Sequence, residues 1–543
     1  MLRRSENRIS FPIIEFNHQR WILLAGLIFL MAVIARILPG PRIIDDAYIT
    51  YRYTRNILAG NGFVYNPGEH VLGTTTPLYT FLLSLLGQFS GKSQAPFPLL
   101  SVFANALADG LTCLLLINLG RRLGSPLAGC GAAVVWAIAP YSVTFAIGGL
   151  ETSLYVLLLT ATMSAYLEQR FVWAMFFGSL ALLTRPDALI LLGPLLVDRF
   201  FLILTSRRSD PISRQMRSIL YEAAAFLIPL LPWVIFAFYY FGSPLPHSIA
   251  AKSLAYRLPA DAALIRLMQH YATPFLENLT FGIPAIGVGM ILYLFLFMVG
   301  AFHTFRAQRS LWPWLIFPWL YFLAFAIANP LIFRWYLTPP LPAYFLIILA
   351  GIERIIQQLF FNREPPDSPG NNTKKLIGKY LAISLVVLAP FILTLRGWTL
   401  HPDHGANRPT PEMAYIKLEL LYQQAAESLR AEISSHSTLP LLAAGDVGVL
   451  GYFTAVRILD TVGLNSPIST SYYPLDPALY VINYAIPPDL ILDQRPDYVV
   501  ILEVYGRESL LKDSRFQSTY HLRQKIPTDM YGSDGMLILE EKK

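Results

Sequence analysis

Apolar residues fall in runs that recur from Trp21 to Trp398. Each run, at about 18 residues, is long enough as a helix to cross a hydrocarbon core of roughly 30 Å. Eleven candidate spans follow, near 21–39, 99–119, 126–147, 151–167, 171–184, 187–204, 219–241, 281–304, 311–329, 336–352 and 379–397. Residues 77–90, PLYTFLLSLLGQFS, are apolar but short, and counting them as a span would move Arg121 and Arg122 to the opposite side. They read as an interfacial or re-entrant helix within a long first external loop, 40–97. Beyond about residue 399 the pattern changes. HPDHGANRPTPE is a polar, proline-rich linker, 411–433 has helical periodicity, and LPLLAAGD, AVRILD and PDYVVILEVYG read as buried strands. The pattern predicts a polytopic α-helical membrane region over 1–398 and a small soluble α/β domain over 399–543. Residues 361–377 read as a flexible connection on the cytoplasmic side. No internal repeat or coiled-coil heptad is visible.

Composition supports the membrane reading. The chain is 54% hydrophobic and only 14% charged, with a mean hydropathy of +0.47, whereas a soluble protein of 543 residues needs far more surface charge. The formal charge of +7 does not point to nucleic acid, because the basic residues sit in short loops between apolar runs. Arg3, Arg4, Arg8 and Arg20 precede the first span, Arg121 and Arg122 follow the second, and Arg170 follows the fourth. Arg207, Arg208, Arg214 and Arg217 follow the sixth, Arg306 and Arg309 the eighth, and Arg354, Arg363, Lys374, Lys375 and Lys379 the tenth. All share one side if the N-terminus is cytoplasmic, and an odd number of spans then puts the C-terminal domain outside a plasma membrane. Cys113 and Cys130 lie in or beside apolar runs, so no disulfide framework or thiolate metal site follows. The first run is too long for a signal-peptide core and lacks a small-residue cleavage site, so it is expected to stay as an anchor.

Candidate chemistry concentrates in residues 44–76, IDDAYITYRYTRNILAGNGFVYNPGEHVLGTTT. Asp45 and Asp46 stand just after the first span, followed by Tyr48, Tyr51, Arg52, Tyr53 and Arg55. On a helix Asp45, Tyr48 and Arg52 share a face, while the two aspartates diverge. Helix capping accounts for one Asp; acids beside aromatic rings and arginines at a membrane boundary also build a sugar-phosphate site. Other external span ends carry Glu151 in GGLETSLY, Arg185 and Asp187 in TRPDA, His247 and Lys252 in GSPLPHSIAAKS, and Arg334, Trp335 and Tyr336 in IFRWYLTPPLP. Each has an ordinary reading: Glu151 as a cap, Arg185–Asp187 as a local ion pair, Arg334 as a snorkelling side chain. Their shared placement argues for more. A charge at mid-bilayer costs about 2.5–3.5 kcal/mol, and nearly all of these residues avoid it by sitting at the outer boundary, where several spans present charge to one external cavity. In the C-terminal region, Asp446 and Asp460 read as turn formers or as contacts to an acceptor glycan.

The stretches DDAYITYRYTRNILAGNGFVYNPGEHV, GGLETSLY, TRPDA, GSPLPHSIAAK and FRWYLTPPLP, taken in order over roughly residues 20–350, resemble the signatures of GT-C glycosyltransferases, in particular the arabinofuranosyltransferase-like and protein O-mannosyltransferase-like branches. The resemblance implies a GT-C fold and an inverting transfer of a hexose or pentose from a polyprenyl-phosphate donor to an extracytoplasmic glycan, lipid or protein. It implies an acid in the first external loop as base, with or without help from a metal. The chain departs from the pattern at His247, where members often carry Asn, and at GTTTP, where a more aromatic stretch is usual; these departures leave sugar and acceptor open. A polyprenyl phosphate leaves as a stable anion, so one carboxylate accepting the hydroxyl proton can suffice, and an arginine fork suits the leaving phosphate. Asp45 is the first candidate for the base, with Asp46 beside it. Arg185, Lys252 and Arg334 are candidate phosphate ligands, and Tyr48, Arg52 and Glu151 are placed to hold sugar hydroxyls or orient the base. Glu69, Asp187, His247 and Tyr336 complete the substrate-contacting set. No cofactor is obligatory; a divalent metal bridging Glu151 or Glu69 to phosphate is compatible, although no ligand spacing demands one. A transporter or flippase of a lipid-linked sugar is the chief alternative. Such proteins show mid-membrane ionisable groups and related halves, and neither is visible, although FPWLYFLAFAIANP reads as one broken helix. A non-catalytic sugar-lipid scaffold is the other, and turnover would exclude it.

Overall fold

A computed structural model describes residues 17–206, 212–276, 282–361, 371–400, 408–413, 415–433 and 439–542. Arg3, Arg4, Arg8, Arg207, Arg208 and Arg363, the side chain of Arg214, and most of the 361–377 and 401–412 connections lie outside the described residues. The apolar runs fold as helices, in the order α1 (His18–Ile37), α2 (Asp45–Leu58), α3 (Pro77–Gln88), α4 (Phe97–Arg122), α5 (Pro126–Ile138), α6 (Pro140–Ile147), α7 (Thr152–Leu167), α8 (Phe171–Thr184), α9 (Leu189–Ser206), α10 (Ile212–Phe241), α11 (His247–Ala255), α12 (Ala262–Ala272), α13 (Ile283–Ala307), α14 (Trp312–Ala328), α15 (Leu341–Phe360), α16 (Asn371–Ile383) and α17 (Ala389–Leu395).

Eight described helical runs have the length and apolarity to cross a membrane, or nine if α5 and α6 are one bent span. The bend of 42° falls at Ala139, whose φ of −57° and ψ of 130° are the extended values forced on a residue before proline. Helices α7 and α8 are apolar but shorter, at 16 and 14 residues. At 1.5 Å per residue they reach only about 24 and 21 Å, and they pack against each other inside the bundle. Helices α4 and α15 run through the centre with most of their side chains buried, whereas α10 lies along the rim. At the α13–α15 crossing, Gly300 and Gly351 face backbone so closely that a Cβ on either would overlap Ile347 O or Leu296 O. Small residues are the usual means of close helix approach in a bilayer.

The expectation that no ionisable group lies at mid-membrane is corrected by a charged pair wholly inside the bundle, since Asp109 stands midway along α4. Arg36 Nε donates to Asp109 Oδ2 at 2.7 Å, and both side chains are fully buried. Arg36 Nη1 donates to Ala32 O (2.8 Å) and Ala137 O (2.7 Å), and Nη2 to Ser142 Oγ. Asp109 also accepts from Trp136 Nε1 (3.0 Å) and Ser153 Oγ (2.7 Å). The network ties α1, α4, α5, α6 and α7 together, and its completeness is what makes an ion pair tolerable in an apolar interior.

After α17 a short antiparallel pair, β1 (Trp398–Thr399) and β2 (Thr410–Pro411), leads into α18 (Tyr415–Ile433) and then β3 (Leu441–Ala444), α19 (Gly448–Thr454), β4 (Arg457–Asp460), α20 (Pro488–Gln494), β5 (Tyr498–Leu502), β6 (Tyr520–Ile526) and β7 (Met536–Glu541). The sheet order is β4-β3-β5-β7-β6. Strand β3 is parallel to β4 and β5, and β7 is antiparallel to β5 and β6. The parallel strands are the apolar runs read from the sequence, buried as a parallel core requires. The β6–β7 pair was not read: β6, YHLRQKI, is an exposed edge strand with no clean alternation.

Candidate active site

At one end of the bundle a cavity of about 290 Å³ opens between the helix ends and the α/β domain. It is lined by Asp46, Ile49 and Thr50 on α2, by Gly73–Thr76, and by Glu151, Arg185 and Asp187 at the ends of α7, α8 and α9. Ser248 and Lys252 come from α11, Trp335 and Tyr336 from the turn before α15, and Leu464 from the α/β domain. Seven residues singled out in the sequence, Asp46, Glu151, Arg185, Asp187, Lys252, Trp335 and Tyr336, therefore line one cavity although they are spread over some 290 positions of chain.

The charges in this cavity form a connected set. Arg185 Nε donates to Asp187 Oδ1 at 2.9 Å and Nη1 to Glu151 Oε1 at 3.3 Å. The guanidinium lies against the Tyr155 and Tyr336 rings, 5.3 and 5.0 Å from their centroids. Tyr321 OH donates to Asp187 Oδ2 at 2.9 Å. Arg185 Nη2 makes no hydrogen bond among the described residues, so one donor of the fork remains for an anion. Lys252 Nζ sits 3.7 Å from Asp46 Oδ2. Burial alone would lower the Lys252 pKa, but Tyr336 and Asp46 outweigh it and raise it, so the ammonium stays charged. Asp46 is the cavity carboxylate without a hydrogen bond among the described residues, and its side chain is partly exposed. Thr74 and Thr76, whose hydroxyls lie 3.1 Å apart, add small polar side chains to the wall. Ile49 and Thr50 were not singled out, although they lie three and four residues beyond Asp46 and so on its helical face.

The rest of the 44–76 stretch does something else: it docks the α/β domain. Asp45 accepts from Gly448 N (2.9 Å) and Val449 N (2.7 Å), capping α19, and its own N–H donates to Glu419 Oε1 at 2.9 Å. Gly448 must be glycine here, since a Cβ would overlap Asp45 O. Burial and the Asp446 carboxylate raise the Asp45 pKa, opposed by those two amides. Arg52 donates to Tyr65 O (2.8 Å), Asn66 Oδ1 (3.1 Å) and Val456 O (2.6 Å). Asn66 bridges Ile458 through both N–H and C=O, at 3.1 and 2.9 Å, and Glu69 pairs with Arg457 at 2.6 Å. Tyr48 packs between Tyr452 and Phe453, with centroids 5.0 and 5.5 Å away, and faces a different cleft. His247 begins α11 with its N–H on Leu72 O (2.8 Å), and Arg334 begins the turn that carries Tyr336; neither lines the cavity.

In the α/β domain, Asp446 follows β3 and accepts from Tyr422 OH at 2.9 Å and Tyr505 OH at 3.5 Å. Burial, with the Asp46 and Asp460 carboxylates, pushes its pKa up to about 6 against the Tyr422 hydrogen bond. Asp460 holds its own turn, accepting from the amides of Val462, Gly463 and Asn465 at 3.0, 2.9 and 2.8 Å. Among the described residues, no group of three or more His, Cys, Asp or Glu is arranged to hold a metal ion.

The bundle and its cavity define the class: this is a multi-pass membrane protein with the GT-C fold. It aligns with the archaeal oligosaccharyltransferase AglB from Archaeoglobus fulgidus, solved with an inhibitory peptide and a dolichol-phosphate, at a TM-score of 0.55 and 12% identity over 91% of this chain and 72% of that one. It aligns with ArnT from Cupriavidus metallidurans at a TM-score of 0.51 and 11% identity, over 96% and 98% of the two chains. Within the fold its sequence resembles the arabinofuranosyltransferase-like branch. A stretch of 159 residues is 34% identical to the terminal beta-(1->2)-arabinofuranosyltransferase of Mycobacterium tuberculosis, covering 28% of this chain and 24% of that protein, about a quarter of the relative's length. Residues 413–538 match a family profile described as a domain of unknown function (DUF8728).

Proposed function

We propose that the protein transfers a sugar from a polyprenyl-phosphate donor to an extracytoplasmic acceptor by a single inverting displacement. The observation that carries this is the pairing, in one cavity, of a carboxylate that accepts no hydrogen bond among the described residues (Asp46) with a lysine 3.7 Å away. The acceptor hydroxyl oxygen attacks the anomeric carbon, the bond from that carbon to the phosphate oxygen breaks, and the hydroxyl proton goes to Asp46. The leaving phosphate keeps the electron pair, and Lys252 with Arg185 Nη2 offsets its charge. A donor phosphate that engages Lys252 draws the ammonium from Asp46 and leaves the carboxylate free to act as base. Glu151 and Asp187 hold the Arg185 fork in place. The similarity to an arabinofuranosyltransferase supports a pentose as the sugar, and the dolichol-phosphate held by AglB supports a lipid-phosphate donor. In a vesicle assay, purified protein is expected to move the sugar from a polyprenyl-phosphate pentose to an oligosaccharide with inversion; no transfer from any pentose or hexose donor would remove the proposal.

The reaction would face outward. With the N-terminus cytoplasmic, the end of the bundle that carries the cavity lies outside, and Arg309 and Thr373 lie inside. Cys113 and Cys130 are buried, so single engineered cysteines report cleanly. Asn61→Cys, Ala260→Cys and Ser471→Cys should react with an impermeant thiol reagent applied outside, and Arg309→Cys and Thr373→Cys only after permeabilisation. External labelling of Thr373→Cys would reverse the orientation.

A further inference from the structure

A second cleft, of about 250 Å³, lies where α18 of the α/β domain meets the start of α2. Its walls include Arg42, Tyr48, Glu419 and Gln423, with Pro41 and Leu420 among the apolar groups between them. Two side-chain oxygens in it make no hydrogen bond among the described residues. Glu419 spends Oε1 on the Asp45 amide, while Oε2 is buried with no hydrogen bond. Tyr48 is also more than nine-tenths buried, and its hydroxyl makes no hydrogen bond among the described residues. Its ring is fixed by Tyr452 and Phe453, so the hydroxyl cannot swing away. Burial of an unmatched carboxylate oxygen is costly unless something donates to it.

We propose that this cleft binds a neutral sugar unit of the acceptor glycan, with one ligand hydroxyl donating to Glu419 and a neighbouring one bonded to Tyr48. The chemistry selects the class. An anion would meet the Glu419 carboxylate with Asp45 beside it, and a cation would meet Arg42 in the wall. A polyol can bond both oxygens and lay its C–H faces on Pro41 and Leu420. The position fits an acceptor chain. Asp46, Ile49 and Thr50 present one face of α2 to the first cavity, and Tyr48 presents another to this cleft. The two sites are therefore separated by about the 10–12 Å width of a helix with its side chains, a span that several linked sugars cover. The cleft thereby selects for chain length, holding an internal unit while the end to be extended enters the first cavity. The assignment rests on the proposed glycan acceptor, and its test keeps the two apart.

The test is direct binding of an arabinofuranosyl hexasaccharide and of mannohexaose to the full-length protein, alongside Tyr48→Phe and Glu419→Gln. Both variants keep the local shape, and the glutamine retains an acceptor for the Asp45 amide. At least one hexasaccharide is expected to bind wild type, and each variant to weaken it about five- to tenfold or more, the effect of one lost hydrogen bond. Melting temperature checks folding; if Glu419→Gln fails to fold, Tyr48→Phe decides alone. Unchanged affinity in the folded variants, or no binding of either sugar by wild type at millimolar concentration, overturns the cleft. A protein that binds through Tyr48 and Glu419 yet transfers no sugar overturns the transfer reading and leaves the cleft standing.

Discussion

Asp46→Asn is expected to lower sugar transfer about 10²–10⁴-fold, the usual contribution of a positioned general base. The asparagine keeps the size of the side chain but accepts no proton at neutral pH. Donor affinity should change far less, because the proposed phosphate contacts are Lys252 and Arg185. The necessary comparison is Asp45→Asn. That change removes one of the two acceptors for the Gly448 and Val449 amides, which should cost about 0.5–2 kcal/mol of docking, as loss of a helix cap does. It is expected to lower the melting temperature and to slow transfer by much less. If Asp45→Asn instead abolishes transfer at an unchanged melting temperature while Asp46→Asn is active, the roles are exchanged. If neither matters in folded protein, the carboxylate-base mechanism is wrong.

The largest effect on stability is expected at Arg36→Met. Removing the guanidinium leaves the Asp109 carboxylate with only Trp136 and Ser153 as donors in a fully buried site. Breaking such a pair typically costs about 3–5 kcal/mol, whereas replacing both partners by apolar groups is often neutral. The single variant should therefore melt well below wild type in detergent, and Arg36→Met/Asp109→Leu should recover much of the loss. A single variant no less stable than the double would show that the pair does not hold the bundle.

The helices were legible because a bilayer allows few alternatives: every backbone polar group in it must be satisfied locally, so a long apolar run is a helix. The bend at Ala139–Pro140 was passed over, since hydropathy averages across it, although the proline signals it. Arg36 and Asp109 each lie alone in an apolar run, which marks a buried partner by cost alone, but their pairing spans 73 residues and no local pattern shows it. The same limit governs the first external segment. Adjacent aspartates point in different directions on a helix, and which one faces the cavity depends on where Gly448 and Val449 lie. Arg52 and Glu69 have the chemistry of sugar and phosphate ligands, but the α/β domain takes both, through Val456 O and Arg457. Glu151, Arg185, Lys252 and Tyr336 could be grouped in advance because each stands at a helix end on the same side, where topology alone brings them together.

The contact between Asp45 and Gly448 joins residues 403 positions apart. At a synthesis rate of about 5–20 residues per second, the first turn of α2 waits about 20–80 s for the segment that caps onto it. Through that interval the carboxylate next to Asp46 lacks its Gly448 and Val449 donors, and Arg52, Asn66 and Glu69 lack their contacts to Val456, Ile458 and Arg457. The nascent chain thus carries its cavity-lining helix undocked until the far end of the polypeptide has been translated.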